Sequence, residues 1–171
     1  IRVGMASEGG CWSAPWDVGR RVVTEVLKEP KGVKVFHNRA FDQPRLEAYG
    51  VRVEGLKADT MLMATMAQPD LYKGLNSVAS LYLDTLKWKH LGDDDPALYN
   101  AWDCQRTLEV YQVLRGELER QGQWGLFMDT IMPGSSVLMR MTQRGMRVDV
   151  RKREEWVGRL RMEMVAAERR W

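Results

Sequence analysis

The chain has 171 residues, of which 44% are apolar and 29% charged, with a formal net charge of +3. It is long enough for one full domain with a sizeable core and the start of a second. No apolar run approaches the roughly 20 residues needed to cross a bilayer, so neither a membrane span nor a signal peptide is expected. Cys11 and Cys104, with two histidines, form neither a disulfide framework nor a zinc-ligand spacing. A reducing, cytoplasmic setting is expected.

Ile1–Ser7 and Cys11–Pro15 are short apolar stretches joined by Glu8-Gly9-Gly10, a hairpin signal. Asp17 is expected to cap a helix whose apolar positions are Val18, Val22, Val23, Val26 and Leu27, ended by Pro30 and Gly32. Val33–Phe36 is a buried-strand candidate leading into His37-Asn38, and Asp42 to Tyr49 reads as a helix closed by Gly50. Leu56–Asp59 is a further strand. Thr60–Ala67 and Leu75–Leu83 read as helices, and Met61, Met63 and Met66 as core filling. A polar loop from Asp84 to Asp95 precedes Pro96, where a long helix begins. Its stripe is Leu98, Trp102, Leu108, Val110, Tyr111, Leu114 and Leu118, and it ends near Gln121-Gly122.

Near Asp129 the character changes. Ile131 to Arg144 reads as an amphipathic helix, Gly145–Val148 as an extended link, and Asp149 as the cap of a last helix. The expected organisation is one domain over 1–127 and the start of another over 128–171. The second part is rich in arginine (Arg140, Arg144, Arg147, Arg151, Arg153, Arg159, Arg161, Arg169, Arg170). Such a tail suits a phosphate backbone or simply a solvated helix face. Ile1 in place of Met, and a helical pattern running to Trp171 without a stop signal, are expected to be cuts through a longer protein. Hairpin, helix, strand, then mostly helix implies an α/β fold with a mixed sheet.

Two places carry candidate chemistry. Asn38 and Asp42 follow directly on the strand Val33–Phe36, at a loop-to-helix turn. Tyr99 and Asp103 stand four apart, on one face of the long helix's first turns. Phosphodiester hydrolysis without a covalent intermediate needs an activated water and charge stabilisation. Two hard cations held by carboxylates from separate elements can supply both.

Asn-x-x-Phe-Asp at 38–42 and Tyr-x-x-x-Asp at 99–103 resemble the second and third motifs of the DnaQ-like 3′→5′ exonucleases. The surrounding segments, Asp59-Thr60-Met61, Lys73 to Ala79 and Trp88-Lys89-His90-Leu91, are similar to the proofreading domains of family A DNA polymerases, phage-like ones above all. Met132-Pro133, Val137 to Met141 and Arg144 to Asp149 resemble the same family's thumb entry. The resemblance implies an RNase-H-like mixed sheet flanked by helices, then polymerase helices. Its implied partners are a single-stranded DNA 3′ end and a polymerase domain in the same parent chain.

Asp103 would then ligate a catalytic Mg²⁺ or Mn²⁺, Asp42 would hold the second metal, Tyr99 would orient the attacking water, and Asn38 would position the terminal nucleotide. The family's first motif, Asp-x-Glu on a leading strand, is not in the sequence. Neither Glu117-x-Glu119 nor Asp93-x-Asp95 sits on such a strand. The chain is therefore expected to bind metal poorly and to be inactive alone. Alternatives are a catalytically silent scaffold or single-strand-binding module, and an RNA-trimming relative.

Overall fold

The computed structural model describes residues 1–85 and 88–170. Leu86, Lys87 and Trp171, and with them part of the expected 84–95 loop and the end of the last helix, lie outside the described residues.

The chain opens as a hairpin of β1 (Arg2–Ser7) and β2 (Gly10–Pro15), antiparallel, with Ser7 opposite Gly10 and Gly4 opposite Ser13. Its two-residue turn is Glu8-Gly9, and Gly10 takes φ +128° at the start of the return strand, a conformation cheap only for glycine. Helix α1 (Trp16–Lys28) starts at once. Its N-cap is Pro15, and the expected cap Asp17 lies inside the first turn, where an acid still complements the helix dipole. The apolar face also differs from the periodic reading. Gly19, Val23 and Leu27 are buried, whereas Val18, Val22 and Val26 are exposed. Gly19 lets α1 approach the hairpin: an added Cβ would lie 2.7 Å from Val3 Cγ1.

Strand β3 (Val33–Phe36) pairs in parallel with β4 (Leu56–Asp59), connected by α2 (Arg39–Ala48). Helix α2 begins three residues before Asp42, so Asp42 stands in its first turn, and Asn38 occupies the cap at φ 66°. Helices α3 (Thr60–Ala67), α4 (Leu75–Tyr82) and α5 (Leu91–Asp94) follow, and then the long α6 (Pro96–Arg120). Asp95 caps α6 by accepting the N–H groups of Ala97 and Leu98. That role accounts for one end of the acidic Asp93-x-Asp95. Glu117 and Glu119 pair with Arg120 and Arg115 on the helix surface. These carboxylates serve the helix itself.

Helix α6 organises the domain. It packs against β1, β2, β3, α3, α4 and α5, and Val110, Leu114 and Leu118 are fully buried among Met63, Val78, Ala79 and Phe127. Each such side chain contributes about 1.5–3 kcal/mol by leaving water. A second core joins Val23, Leu27, Val51 and Val53 to the hairpin's Val3, Met5 and Trp12. After α7 (Trp124–Leu126) comes a π-helical turn, Phe127–Ile131, and then α8 (Met132–Arg144). Phe127 and Met132 belong to the main core, and the compact unit extends from Ile1 to Met139. That is beyond the division expected at 127. The second unit, Arg140–Trp171, holds the end of α8 and α9 (Val150–Glu168), which Asp149 caps through the N–H of Lys152.

The single mixed sheet expected from the sequence is not formed. Among the described residues the four strands make two separate two-stranded sheets, one antiparallel and one parallel. Between them runs a cavity of about 1650 Å³. Every residue of β1 except Ser7, and all of β3, line it, while β2 and β4 contribute none. Two unpaired strand edges therefore face one slot.

Candidate active site at the strand-edge slot

The β3–α2 turn is held by a residue given no role from the sequence. Asp59, at the end of β4, is buried. Its Oδ1 accepts the N–H groups of Asn38 and Met61 at 3.1 and 2.9 Å, and its Oδ2 accepts that of Arg39 at 2.7 Å. One carboxylate thus caps α2 and α3 together and fixes Asn38 in its left-handed conformation. The signal was present in principle as Asp immediately before the helical run Thr60–Ala67.

Next to it, His37 Nδ1 lies 2.8 Å from Thr60 Oγ1 and Nε2 lies 2.9 Å from the Lys73 carbonyl. Burial lowers the imidazole pKa, with Asp59 and the Lys73 carbonyl acting against it. The neutral ring donates from Nε2 to the Lys73 carbonyl, while His37 Nδ1 and the Phe36 carbonyl, 3.2 Å from Thr60 Oγ1, are alternative acceptors for the one Thr60 hydroxyl hydrogen. On the far side of the turn, Arg39 is buried and donates to Ser135 Oγ and Ser136 Oγ, both at 2.8 Å.

Asn38 and Asp42 line the slot from this turn, and Asp103 lines it from α6. The structure thus brings these three sequence-selected residues to one cavity, with His37 and Cys104 beside them. Burial raises the Asp42 carboxyl to about 6, with Arg45 opposing the shift and Asp59 adding to it. The half-buried Cys104 is pushed up to about 12, by burial first and then by the negative charge of Asp103. Both cysteines are free.

Tyr99 does not line the slot. It is joined to Asp103 by Lys89, whose Nζ lies 2.7 Å from the Tyr99 hydroxyl and 3.0 and 3.3 Å from the two Asp103 oxygens. The indole N–H of the buried Trp88 donates to Asp103 Oδ1 at 2.7 Å. The sequence places Trp88 and Lys89 in a family-like segment without a function; they belong to a loop before α6, with no periodic pattern to show their contact with Asp103.

A metal pair does not fit these residues as they stand. Hard divalent cations need several free oxygens from separate groups, and both oxygens of Asp103 are engaged by an ammonium and an indole. Among the described residues, no group of three or more His, Cys, Asp or Glu side chains is placed to hold a metal. Nor is any described helix long and apolar enough to cross a membrane.

No family model matches the chain. Over 140 residues it is 28% identical to DNA polymerase I of Synechocystis sp., a match covering 73% of this chain and 14% of that protein. The chain is similar in sequence to a stretch of DNA polymerase I. In structure it matches the POL domain of Pol1 from M. smegmatis in complex with DNA primer-template and dNTP, with a TM-score of 0.74 and 20% identity. That match covers 88% of this chain and 26% of the other. The chain thus spans a small part of the proteins it matches, and the structural match is to a polymerase domain.

Proposed function

We propose that the chain is the exonuclease-like module of a DNA polymerase I-related protein. In this reading it is an incomplete RNase-H-like domain followed by the first helices of a polymerase region. The whole protein would remove nucleotides from DNA 3′ ends as a proofreading function of replication in the cytoplasm. The observation that supports it is the convergence of Asn38 and Asp42 from the β3–α2 turn with Asp103 from α6 on one cavity. The similarity to DNA polymerase I supplies the context.

Two facing unpaired edges also suit the reading, because a strand carrying the Asp-x-Glu motif would pair with both and join the sheets. Without it the candidate residues do not assemble a two-metal site for Mg²⁺ or Mn²⁺. The 171-residue chain alone therefore binds or scaffolds rather than hydrolyses. The engagement of Asp103 by Lys89 favours a second reading, a silent module that holds single-stranded DNA beside a polymerase.

The test is 3′-end trimming of a labelled single strand by the chain and by a version extended upstream with an Asp-x-Glu strand. The expectation is trimming by the extended protein only, lost on Asp103→Ala or Asp42→Ala. Trimming that survives both substitutions overturns the assignment of Asp42 and Asp103, and an extended protein that neither trims nor binds DNA overturns the exonuclease reading. DNA binding without trimming in the extended protein favours the silent module.

A further inference from the structure

The residues around Asp103 form a closed charge cluster rather than an open ligand set. Lys89 has three N–H donors, and three acceptors surround it: both carboxylate oxygens of Asp103 and the hydroxyl of Tyr99. Its ammonium also lies 4.6 Å from the centre of the Tyr99 ring, within reach of the ring's negative face. The segment that carries it is anchored. Trp88 is buried in the main core, donates to the same carboxylate, and accepts the N–H of Leu91 at the start of α5. The ion pair itself lies at the surface, with the Lys89 side chain 38% and the Asp103 side chain 26% exposed, and the buried Trp88 beside it is what restricts the lysine stem.

We infer that Lys89 is the resident cation of the Tyr99–Asp103 seat, an autoinhibitory contact that excludes a divalent metal from Asp103 while the Trp88–Lys89 segment is docked. The physical reason is occupancy. An ammonium with all its donors satisfied already neutralises the carboxylate, and a second, doubly charged ion cannot approach the same oxygens without displacing it. Burial of the stem opposes the charge on Lys89, but the hydrogen bonds to Tyr99 and Asp103 outweigh it and raise its pKa. The inference concerns the chemistry of the seat and holds whether or not the parent protein is an exonuclease.

The experiment is Mn²⁺ binding to the 171-residue chain, followed by the loss of the free-ion electron paramagnetic resonance signal. Lys89→Met keeps the packed stem and removes the charge, and Lys89→Arg keeps a cation. The expectation is weak binding by the parent chain and by Lys89→Arg. Lys89→Met is expected to bind tighter by about tenfold or more, and Lys89→Met/Asp103→Asn to return to the parent level. A Lys89→Met chain that binds no tighter, or whose gain survives Asp103→Asn, overturns the inference. If Lys89→Met does not fold, the parent chain decides by nitrogen-15 resonances of its lysine ammonium groups. A slowly exchanging Lys89 ammonium, unmoved by millimolar Mg²⁺, supports the inference, and its release by Mg²⁺ refutes it.

Discussion

The carboxylate of Asp59 accepts the backbone N–H of Arg39 at 2.7 Å, across the parallel pair β3–β4, and so ties the first turn of α2 to the end of the neighbouring strand. With the N–H groups of Asn38 and Met61 on its other oxygen, it serves two helix starts at once. Asp59→Ala leaves three backbone donors without this partner, that of Arg39 buried and those of Asn38 and Met61 part-buried. It is expected to lower stability by about 3 kcal/mol, each lost charge-assisted bond being worth on the order of 1 kcal/mol or more. Asp59→Asn, which keeps the shape and loses the charge, is expected to cost less than Asp59→Ala. Urea unfolding of the two variants checks the order.

Asp42 gives the stability a definite pH dependence. Its folded pKa, about 6, lies above the ordinary carboxylate value of about 4. Between those values the folded chain holds a proton that the unfolded chain has released, so stability falls as pH rises through that window. Ionising the group in place costs on the order of 2 kcal/mol once its partial exposure to solvent is allowed for. Asp42→Asn removes the cost. The variant is expected to be more stable than the parent chain above the window and equal to it below. Thermal melts in acetate and in neutral buffer read the difference; a gain that persists in acid would contradict the assignment.

The strands and most helices were legible because each depends on local signals, and three of the four residues selected from the sequence lie at the slot. Glu8-Gly9-Gly10 encodes the hairpin, Pro96 the start of α6, and the apolar run Val33–Phe36 the strand that delivers Asn38. What escaped was set by distant partners. The pattern starts the helix at Asp42, but Asp59 begins α2 earlier by binding the N–H groups of Asn38 and Arg39. Of the expected stripe α1 buries Val23 and Leu27 but leaves Val18, Val22 and Val26 exposed, because Gly19 allows the closer approach to Val3. Lys89 carried no local signal for its place on Asp103, since its partners lie on α6. Nor could the pattern show that β1 and β3 fail to pair with each other.

Phe127 tests where the first unit ends. It is fully buried in the main core, 5.4 Å from the Trp124 ring, within the unit that extends to Met139. A domain ending at 127 would leave this ring without the helix that follows it. Phe127→Ala is expected to destabilise the first unit by about 3–5 kcal/mol, the cost of a large cavity in a packed core. A chain cut after Met139 is expected to retain the cooperative unfolding transition, and one cut after Leu126 to lose it. Equilibrium unfolding monitored by tryptophan fluorescence separates the two.

Cys104 reports on the contact between β1 and α6. An added Cβ at Gly4 would lie 2.8 Å from Cys104 Sγ and 2.5 Å from Asn100 Oδ1, so the bare glycine backbone is what covers the thiol. Asn100 Oδ1 in turn accepts the hydroxyl of Ser13 at 2.8 Å, holding the hairpin on the helix. Burial and the charge of Asp103 push the thiol up to about 12, so the thiolate that reacts with a disulfide reagent is scarce at mildly alkaline pH. Cys11 is exposed. In the native chain a single thiol is expected to react rapidly, absent in Cys11→Ser, with the second appearing only on unfolding. Gly4→Val forces β1 away from α6 and is expected to expose Cys104, so that both thiols react without denaturant. Equal slow reaction of Cys104 in the parent chain and in Gly4→Val would show that the hairpin does not guard it.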